Sequence, residues 1–273
     1  MKERGSKGPL LASFVRVFLV ENRFVRPLTF LGCMSLTLAQ SPASDPANKA
    51  VHLLQSFDPI AVSAVQNAAS GLTGPVAPGE IVVITGSGLG PTQLVSSVPE
   101  SDGVFGTQLA GTTVQINGTP APLIYTSATQ LAAIVPNSAS PGTALITVTY
   151  QRQTSSSFSV PVAPAAPGIF TQDATGRGHA ATISQNGAIN TAAHWEGDVV
   201  TLFVTGTGQA TSVVVNGFHL PSIPIPVGKG AVLGVMQINV TIPYGQDCDT
   251  PVVVQVGGAS SQDGVTIAVD LCI

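Results

Sequence analysis

Two glycine-spaced turns carry the residues whose types and spacing come closest to a cofactor site. Gly86-Ser-Gly-Leu-Gly90 follows a β-branched run, and Gly206-Thr-Gly208 follows a second one. A glycine turn of this kind holds a pyrophosphate only when a helix N-terminus follows it and an acidic residue lies about 20 residues further on, within a βαβ unit. A non-helical segment follows the first turn, and another strand pattern follows the second. We therefore interpret these glycines as turn residues that supply positive φ, and we predict no cofactor.

Hydrolytic chemistry has little support in the residue pattern. The chain contains no Gly-x-Ser-x-Gly nucleophile elbow. His179, His194 and His219 could each join a serine in a triad, but none lies in a recognisable signature, which favours surface or interface histidines. His194-Trp195-Glu196 could form part of a ligand site, although a partly buried tryptophan at a strand entrance is commoner. We predict no catalytic residue.

Metal binding and glycosidase chemistry both need acidic side chains that converge. Asp247, Asp249 and Asp263 lie near opposite ends of one predicted hairpin. Glu100-Ser-Asp102 lies in a loop that could hold calcium weakly, although a solvated turn is the commoner use of such a segment. A glycosidase needs two carboxylates that frame a cleft, and the sequence pairs no two of these acids. We predict no metal site.

The elements that would position these residues occur twice. In each copy a β-branched strand enters the glycine turn, a Val-rich strand then ends in Asn-Gly, and a Gln-led apolar strand ends in proline. The Asn-Gly pairs are Asn117-Gly118 and Asn216-Gly217, and the Gln-led strands cover 130–136 and 237–243. Landmarks that recur in the same order indicate a duplicated β unit of roughly 100 residues.

Short strands at a spacing of about ten residues are typical of β-sandwiches. Alternation of apolar and polar residues within 143–150 predicts that one face of each sheet packs inward. Asn186-Gly187 predicts a two-residue type I′ hairpin, because both turn residues of that hairpin have positive φ. The predicted strands lie near 59–65, 81–86, 113–116, 122–126, 130–135, 143–150 and 156–162, and then near 199–205, 212–216, 235–242, 251–256 and 265–271. The predicted structural-turn residues are Gly86, Gly88, Gly90, Gly206, Gly208, Asn186 and Gly187.

Composition supports a folded β protein and excludes a nucleic-acid-binding surface. Only 9% of the 273 residues are charged, Gly (29) and Pro (21) are abundant, and the mean hydropathy is +0.39. Disorder normally requires low hydrophobicity and high charge. After Gln40 there are four basic and twelve acidic residues, a net charge of −8 without a basic patch for nucleic acid.

The N-terminus resembles an export signal. Six basic residues precede the apolar stretch 27–39, and Thr37 and Ala39 are the small residues expected before a cut at Gln40. The stretch is too short and too weakly apolar for a lasting membrane span. A lipoprotein anchor on Cys33 is the less favoured alternative, because few apolar residues precede that cysteine. Secretion, or a periplasmic or cell-surface location, is predicted.

Two cysteines remain after this cut, Cys248 and Cys272. The β-runs 251–256 and 265–269 lie between them, and the turn 257–264 is centred midway, so an antiparallel hairpin would place the cysteines opposite each other. A disulfide there would contribute about 3 kcal/mol in the chain-entropy model, in an oxidising compartment. We predict the bridge, with two unrelated thiols as the alternative.

A series of motifs resembles a known family. Asn67-Ala-Ala-Ser, residues 76–90, residues 117–125, residues 162–170, Thr205-Gly-Thr-Gly-Gln209, Thr241-Ile-Pro243 and Gly258-Ala-Ser-Ser-Gln262 look like the Solibacter-type C-terminal domain of exported acidobacterial proteins. The Pro-Gly-Glu…Gly-Ser-Gly-Leu-Gly half also resembles a TIG/IPT immunoglobulin-like domain. The resemblance covers about residues 60–271 and implies no assigned activity.

The residues and the resemblance together predict an all-β chain with two tandem immunoglobulin-like (TIG/IPT-type) β-sandwich domains after an N-terminal signal segment. The predicted parts are a signal peptide (1–39), a disordered linker (40–58), a first sandwich (59–162), a Pro-rich linker (163–168) and a second sandwich (169–273). The predicted function is an exported, non-catalytic structural, adhesion or binding module whose partner is an unknown protein or carbohydrate. The alternative is a secreted hydrolase, or an accessory carbohydrate-binding domain, with an unrecognised site.

Overall fold

The computed structural model describes residues 59–100, 103–184, 186–190, 197–209, 213–215, 233–242 and 248–269. In these ranges the chain is all-β, and its strands form two immunoglobulin-like β-sandwich domains in tandem, as predicted. The predicted signal peptide and the linker 40–58 lie outside the described residues. No helix in the described ranges is both long and apolar enough to cross a bilayer.

The first domain consists of two antiparallel sheets. Its strands are β1 (Ala61–Asn67), β2 (Ile81–Ser87), β3 (Val95–Ser96), β4 (Gln108–Leu109), β5 (Thr112–Ile116), β6 (Thr119–Pro120), β7 (Leu123–Thr126), β8 (Gln130–Ile134), β9 (Gly142–Tyr150), β10 (Gln153–Thr154) and β11 (Phe158–Val162). One sheet has the order β1-β2-β8-β7-β3, and the other has the order β10-β9-β5-β4, with β11 paired to β9 and β6 to β5. Each strand predicted for this domain lies within two residues of an observed one, and the opening strand is at a sheet edge as expected.

The second domain contains shorter strands in three sheets. They are β12 (Gly168–Ile169), β13 (Gly178–His179), β14 (Thr182–Ser184), β15 (Val199–Thr205), β16 (Val214–Val215), β17 (Met236–Thr241), β18 (Asp249–Pro251), β19 (Val254–Val256), β20 (Ala259–Ser260) and β21 (Val265–Ala268). Strand β15 pairs with β12, β14 and β17, while β21 pairs with β13 and β18. Strand β19 pairs with β16 and β20.

The predicted hairpin between 251–256 and 265–269 is wrong in part. Of the predicted strand 251–256, only Pro251, at the end of β18, pairs with β21, whereas β19 belongs to another sheet and turns back onto β20. Gly257 (φ 54°) and Gly258 (φ 88°) make that return possible, because both occupy the left-handed region that a two-residue turn requires. The chain therefore passes from one sheet to the other between β18 and β19.

Each domain has its own aliphatic core. In β9 the residues Ala144, Ile146 and Val148 are fully buried and alternate with more exposed neighbours, which confirms the predicted alternation. The core of the first domain also contains Val82 and Ile84, and that of the second contains Leu202 and Val204. The duplicated β-branched runs thus supply both cores.

A third apolar cluster joins the two domains. Successive residues of a strand face opposite sides of its sheet, so Ile81 and Val83 point away from the first core. They pack in one cluster with Phe170 and Phe203 of the second domain. The sheet that contains β2 is therefore buried on both faces, and it lies against the sheet that contains β15.

Candidate functional site

The five glycines of the two predicted turns are placed at sharp corners and close approaches. Gly88, Gly206 and Gly208 have φ values of 65°, 75° and 60°, which non-glycine residues rarely adopt. Gly86 and Gly90 lack positive φ, but a Cβ on Gly86 would meet the Ala61 carbonyl, and a Cβ on Gly90 would meet the Thr126 hydroxyl. Positive φ or a close backbone or side-chain approach thus explains glycine at each of the five positions.

The hairpin at Asn186-Gly187 is present, but its loop differs from the predicted one. The Gly187 N–H donates to the Ser184 carbonyl at 2.9 Å, and the Ser184 N–H donates to the Ala188 carbonyl at 2.9 Å. Residues 184 and 188 therefore close a three-residue loop in which Gly187 has φ 86°. The Asn186 Oδ1 accepts from the Ala188 N–H at 2.9 Å, a local bond that stabilises the longer loop.

His179 and Asp249 form the one ion pair in the described part of the chain. The His179 Nε2 lies 2.8 Å from the Asp249 Oδ1, and both side chains are largely exposed. Within the described residues the imidazole has no second hydrogen-bonding partner, and no three metal-ligating side chains converge. His194, Trp195, Glu196, His219, Asp102 and Asp247 lie outside the described residues.

Polar contacts across the domain boundary form what we call the joint. The Ile81 N–H of the first domain donates to the Thr205 Oγ1 of the second at 2.8 Å. The Asn67 Nδ2 donates to the Ala166 carbonyl of the linker at 3.0 Å, while its Oδ1 accepts from the N–H groups of Ala69 and Ser70. These side chains are neutral and buried, and they fix the direction in which the linker enters the second domain.

Beyond the linker, Gln262 makes two further polar contacts, both within the second domain. Its Nε2 donates to the Ile169 carbonyl at 2.7 Å, and its Oε1 accepts from the Ile169 N–H at 3.0 Å. The side-chain amide thus makes the same two hydrogen bonds to the Ile169 backbone that a neighbouring strand would make. Because Ile169 belongs to β12, at the start of the second domain, this contact fixes the strand that follows the linker.

A carboxylic acid is buried at the joint. Glu80 is fully buried; its Oε2 accepts from the Ala77 N–H at 2.6 Å, and its Oε1 has no hydrogen-bonding partner among the described residues. Burial raises the pKa of Glu80 from 4.5 to about 8, because a charged carboxylate is poorly solvated there. The hydrogen bond from Ala77 and the neighbouring Asn67 side chain oppose this rise. The acid is therefore mostly protonated at neutral pH.

Two grooves flank the linker where the domains meet. The larger, the interdomain cleft, has a volume of about 460 Å³ and lies between residues 137–141 of the first domain and Gln209 and Gly257 of the second. The Gln209 Nε2 donates to the Asn137 carbonyl at 3.1 Å across the domain boundary. The smaller groove, of about 230 Å³, lies between residues 70–75 and 259–262. Neither lining includes a charged residue in the part of the chain described here.

Sequence reasoning did not identify the joint or the cleft. Asn67, Glu80 and Thr205 belong to the family motifs, but their sequence positions do not indicate a contact between domains. One available signal was the unbroken apolar run at the start of β2, 81–84, since a strand buried on one face alternates instead. No comparable signal marks the cleft, whose lining comes from loops far apart in the chain.

Known proteins similar to this chain support the fold. Residues 67–162 match the family model of the IPT/TIG domain, so the first sandwich carries the predicted TIG/IPT character. No curated protein matches the chain.

Similar solved structures include SGBP-B of the mixed-linkage glucan utilization locus of Bacteroides ovatus, with 13% identity, a TM-score of 0.37, and 79% of this chain and 47% of that one covered. The surface glycan-binding protein PbSGBP-B of Prevotella bryantii has 14% identity, a TM-score of 0.26, and covered shares of 77% and 42%. This chain thus spans less than half of either protein. Similarity at this level carries no functional inference.

Proposed function

We propose that this chain is an exported, non-catalytic binding module of the cell surface or extracellular space, and that it takes an uncharged polar ligand in the interdomain cleft. The cleft is the observation that carries the proposal. Ligand sites are common where two domains meet. A charged ligand would lose its hydration in this cleft without meeting a counter-charge, whereas a glycan or a neutral peptide segment would lose much less.

The lining of the cleft is mostly apolar, with a few polar groups that can hydrogen-bond such a ligand. Asn137, Ser138, Ser140 and Gln209 place amides and hydroxyls along its walls, and Pro164 of the linker contributes an apolar surface. Amides and hydroxyls both donate and accept hydrogen bonds. The joint fixes the two walls, so a ligand would not have to order them.

The proposal also includes export, a Cys248–Cys272 disulfide, and the predicted domain boundaries 59–162 and 169–273. The signal peptide 1–39 with cleavage before Gln40 remains our prediction, with lipidation of Cys33 as the alternative. The resemblance of residues 60–271 to the Solibacter-type domain also remains a prediction.

A hydrolase would need a nucleophile beside the His179–Asp249 pair, and the described residues supply none within hydrogen-bonding distance of the ring.

Binding arrays test the ligand class. The exported protein, probed against neutral and charged glycans and against surface proteins, is expected to retain neutral ligands. Ser138→Trp would fill the cleft and should reduce binding at least tenfold, because the indole occupies the ligand volume. Ser159→Trp, at an exposed position of β11 outside the cleft, is the matched control and should bind as the wild type does. Equal binding by both variants, or retention of charged ligands alone, would contradict the proposal.

A further inference from the structure

Glu80 lies between the polar contacts that hold the two domains together. The next residue, Ile81, donates its N–H to Thr205 of the second domain, and the neighbouring Asn67 donates to the linker at Ala166. The Glu80 main chain is itself fixed, since its N–H donates to the Ala77 carbonyl and its carbonyl accepts from the Val135 N–H. The side chain is linked to the joint through Asn67, whose amide neighbours the carboxyl group and bonds the linker at Ala166.

Among the residues that the structure describes, no charged group compensates the carboxylate. The groups that shift its pKa are the surrounding protein, the Ala77 N–H and the Asn67 side chain, all of them neutral. The segments around Glu80 are the end of β1, residues 76–79, the end of β8 and Thr205, and none of them presents a titratable side chain. The other charged residues of the described ranges do not contribute to this shift: Glu100, Arg152, Asp173, Arg177, His179, Asp198, Asp249 and Asp263.

We propose that Glu80 is a pH-sensitive lock on the joint: the protonated acid keeps the two domains closed, and loss of its proton favours opening. The carboxylate formed would have one oxygen without a hydrogen-bonding partner in an apolar surrounding, which is costly. Opening would bring water to that oxygen and separate Ile81 from Thr205. Because the cleft is formed by both domains, opening would also displace its walls.

The direction of the pH dependence follows from the two protonation equilibria. The pKa of Glu80 is about 8 in the closed joint and 4.5 when the side chain is exposed to water. The closed form therefore binds more protons than the open form between these values. Its stability is fully present below pH 4.5, decreases as pH rises, and reaches its minimum above pH 8. The equilibrium constant for opening should rise by about 400-fold between pH 5 and pH 8.

Hydrogen–deuterium exchange can follow the joint without any ligand. The protection factor of the Ile81 amide, corrected for intrinsic exchange, is expected to fall by about 400-fold between pH 5 and pH 8 in the wild type. Amides of β9, in the outer sheet of the first domain, should show a much smaller change. This difference separates opening of the joint from global unfolding.

Two variants test the assignment to Glu80. In Glu80→Gln the amide cannot ionise, and the Ile81 protection factor should become nearly independent of pH. Glu100→Gln removes the same charge from an exposed position of the first domain and should preserve the wild-type profile. A pH-independent wild-type profile, or a Glu80→Gln profile as steep as that of the wild type, would overturn the proposal.

Discussion

Thr205 shows how one hydroxyl connects two domains. It is almost fully buried; its Oγ1 accepts from the Ile81 N–H at 2.8 Å and donates to the Gly234 carbonyl at 2.7 Å. Both capacities of the hydroxyl are therefore used, one of them across the domain boundary. The residue ends the second β-branched run, and its place beside Gly206 was visible in the sequence, but its partner 124 positions away was not.

Thr205→Val is expected to weaken the joint without creating a large cavity. The substitution leaves the buried Ile81 N–H and the partly buried Gly234 carbonyl without this partner, and the loss at a fully buried group costs about 1–3 kcal/mol. Chemical denaturation should show a lower free energy of unfolding, and the Ile81 amide should exchange faster. Thr113→Val, where the hydroxyl makes no hydrogen bond within the described residues, is the matched control. An equal effect of both changes would assign the loss to the strands rather than to the bond.

The same arrangement, a turn followed by a two-residue strand and then a serine, occurs in both domains. In the first domain Gln151 (φ 48°) and Arg152 (φ 67°) connect β9 and β10, while Gly257 and Gly258 connect β19 and β20. After each turn a serine hydroxyl accepts a strand N–H: Ser155 from Val148 at 3.1 Å, and Ser261 from Val254 at 3.0 Å. The duplication therefore extends to hydrogen bonds that the sequence motifs did not include.

The turn of the first domain is strained where that of the second is not. Two side-chain-bearing residues adopt left-handed conformations at Gln151-Arg152, each at a cost of about 1–2 kcal/mol. Replacing the pair by Asn-Gly, the preferred type I′ residues, should raise the free energy of unfolding by about 1 kcal/mol or more. Thermal and urea denaturation measure the change. The reciprocal control, Gly257-Gly258→Gln-Arg, should destabilise, and stabilisation by it would contradict the argument.

Periodicity predicted strands well and pairings less well. The alternation in β9 and the turn residues around 117–118 and 257–258 are local signals, so the strands of the first domain were placed within two residues. The crossing between β18 and β19 takes the chain from one sheet to another, and no local pattern in the sequence marks it. Asn186-Gly187 likewise lies in a three-residue loop where the dipeptide favours a two-residue one, and no local pattern accounts for the difference.

For the whole molecule, the strand register bears on the predicted disulfide. Asp249 pairs with Ala268, and the Val269 N–H donates to the Cys248 carbonyl at 2.8 Å. Val269 therefore lies opposite Cys248, three positions before Cys272, so the symmetric register on which the pairing was based is not the observed one. Cys272 lies outside the described residues, and the bridge remains a prediction.

Mass spectrometry of the exported protein tests both export and the bridge. No lysine or arginine follows Lys229, so both cysteines fall in the tryptic peptide 230–273. A disulfide should make this peptide lighter by the mass of two hydrogen atoms until it is reduced, because each thiol loses its hydrogen. A peptide that begins at Gln40 and ends at Lys49 should mark signal cleavage. A free-thiol mass before reduction would contradict the bridge, and a continuous peptide across residue 40 would contradict the cut.

Four sheet layers follow one another through the described molecule. The outer sheet of the first domain, its β2 sheet, the β15 sheet of the second domain and the remaining sheets of that domain are separated by three apolar clusters. The middle cluster contains Phe105 and Tyr125 from one side and Phe170 and Phe203 from the other. Aromatic side chains supply much of the buried area at such contacts.

The middle cluster has a consequence for protein engineering. A cut within 163–168 falls between two complete sandwiches and would conventionally be chosen to express either half. The cut would nevertheless expose an apolar surface on both fragments. Ile81 and Val83 of the first domain and Phe203 of the second would become accessible to solvent. The two domains should therefore be expressed together. A fusion protein that contains only one of them must also provide a surface that covers its exposed apolar face.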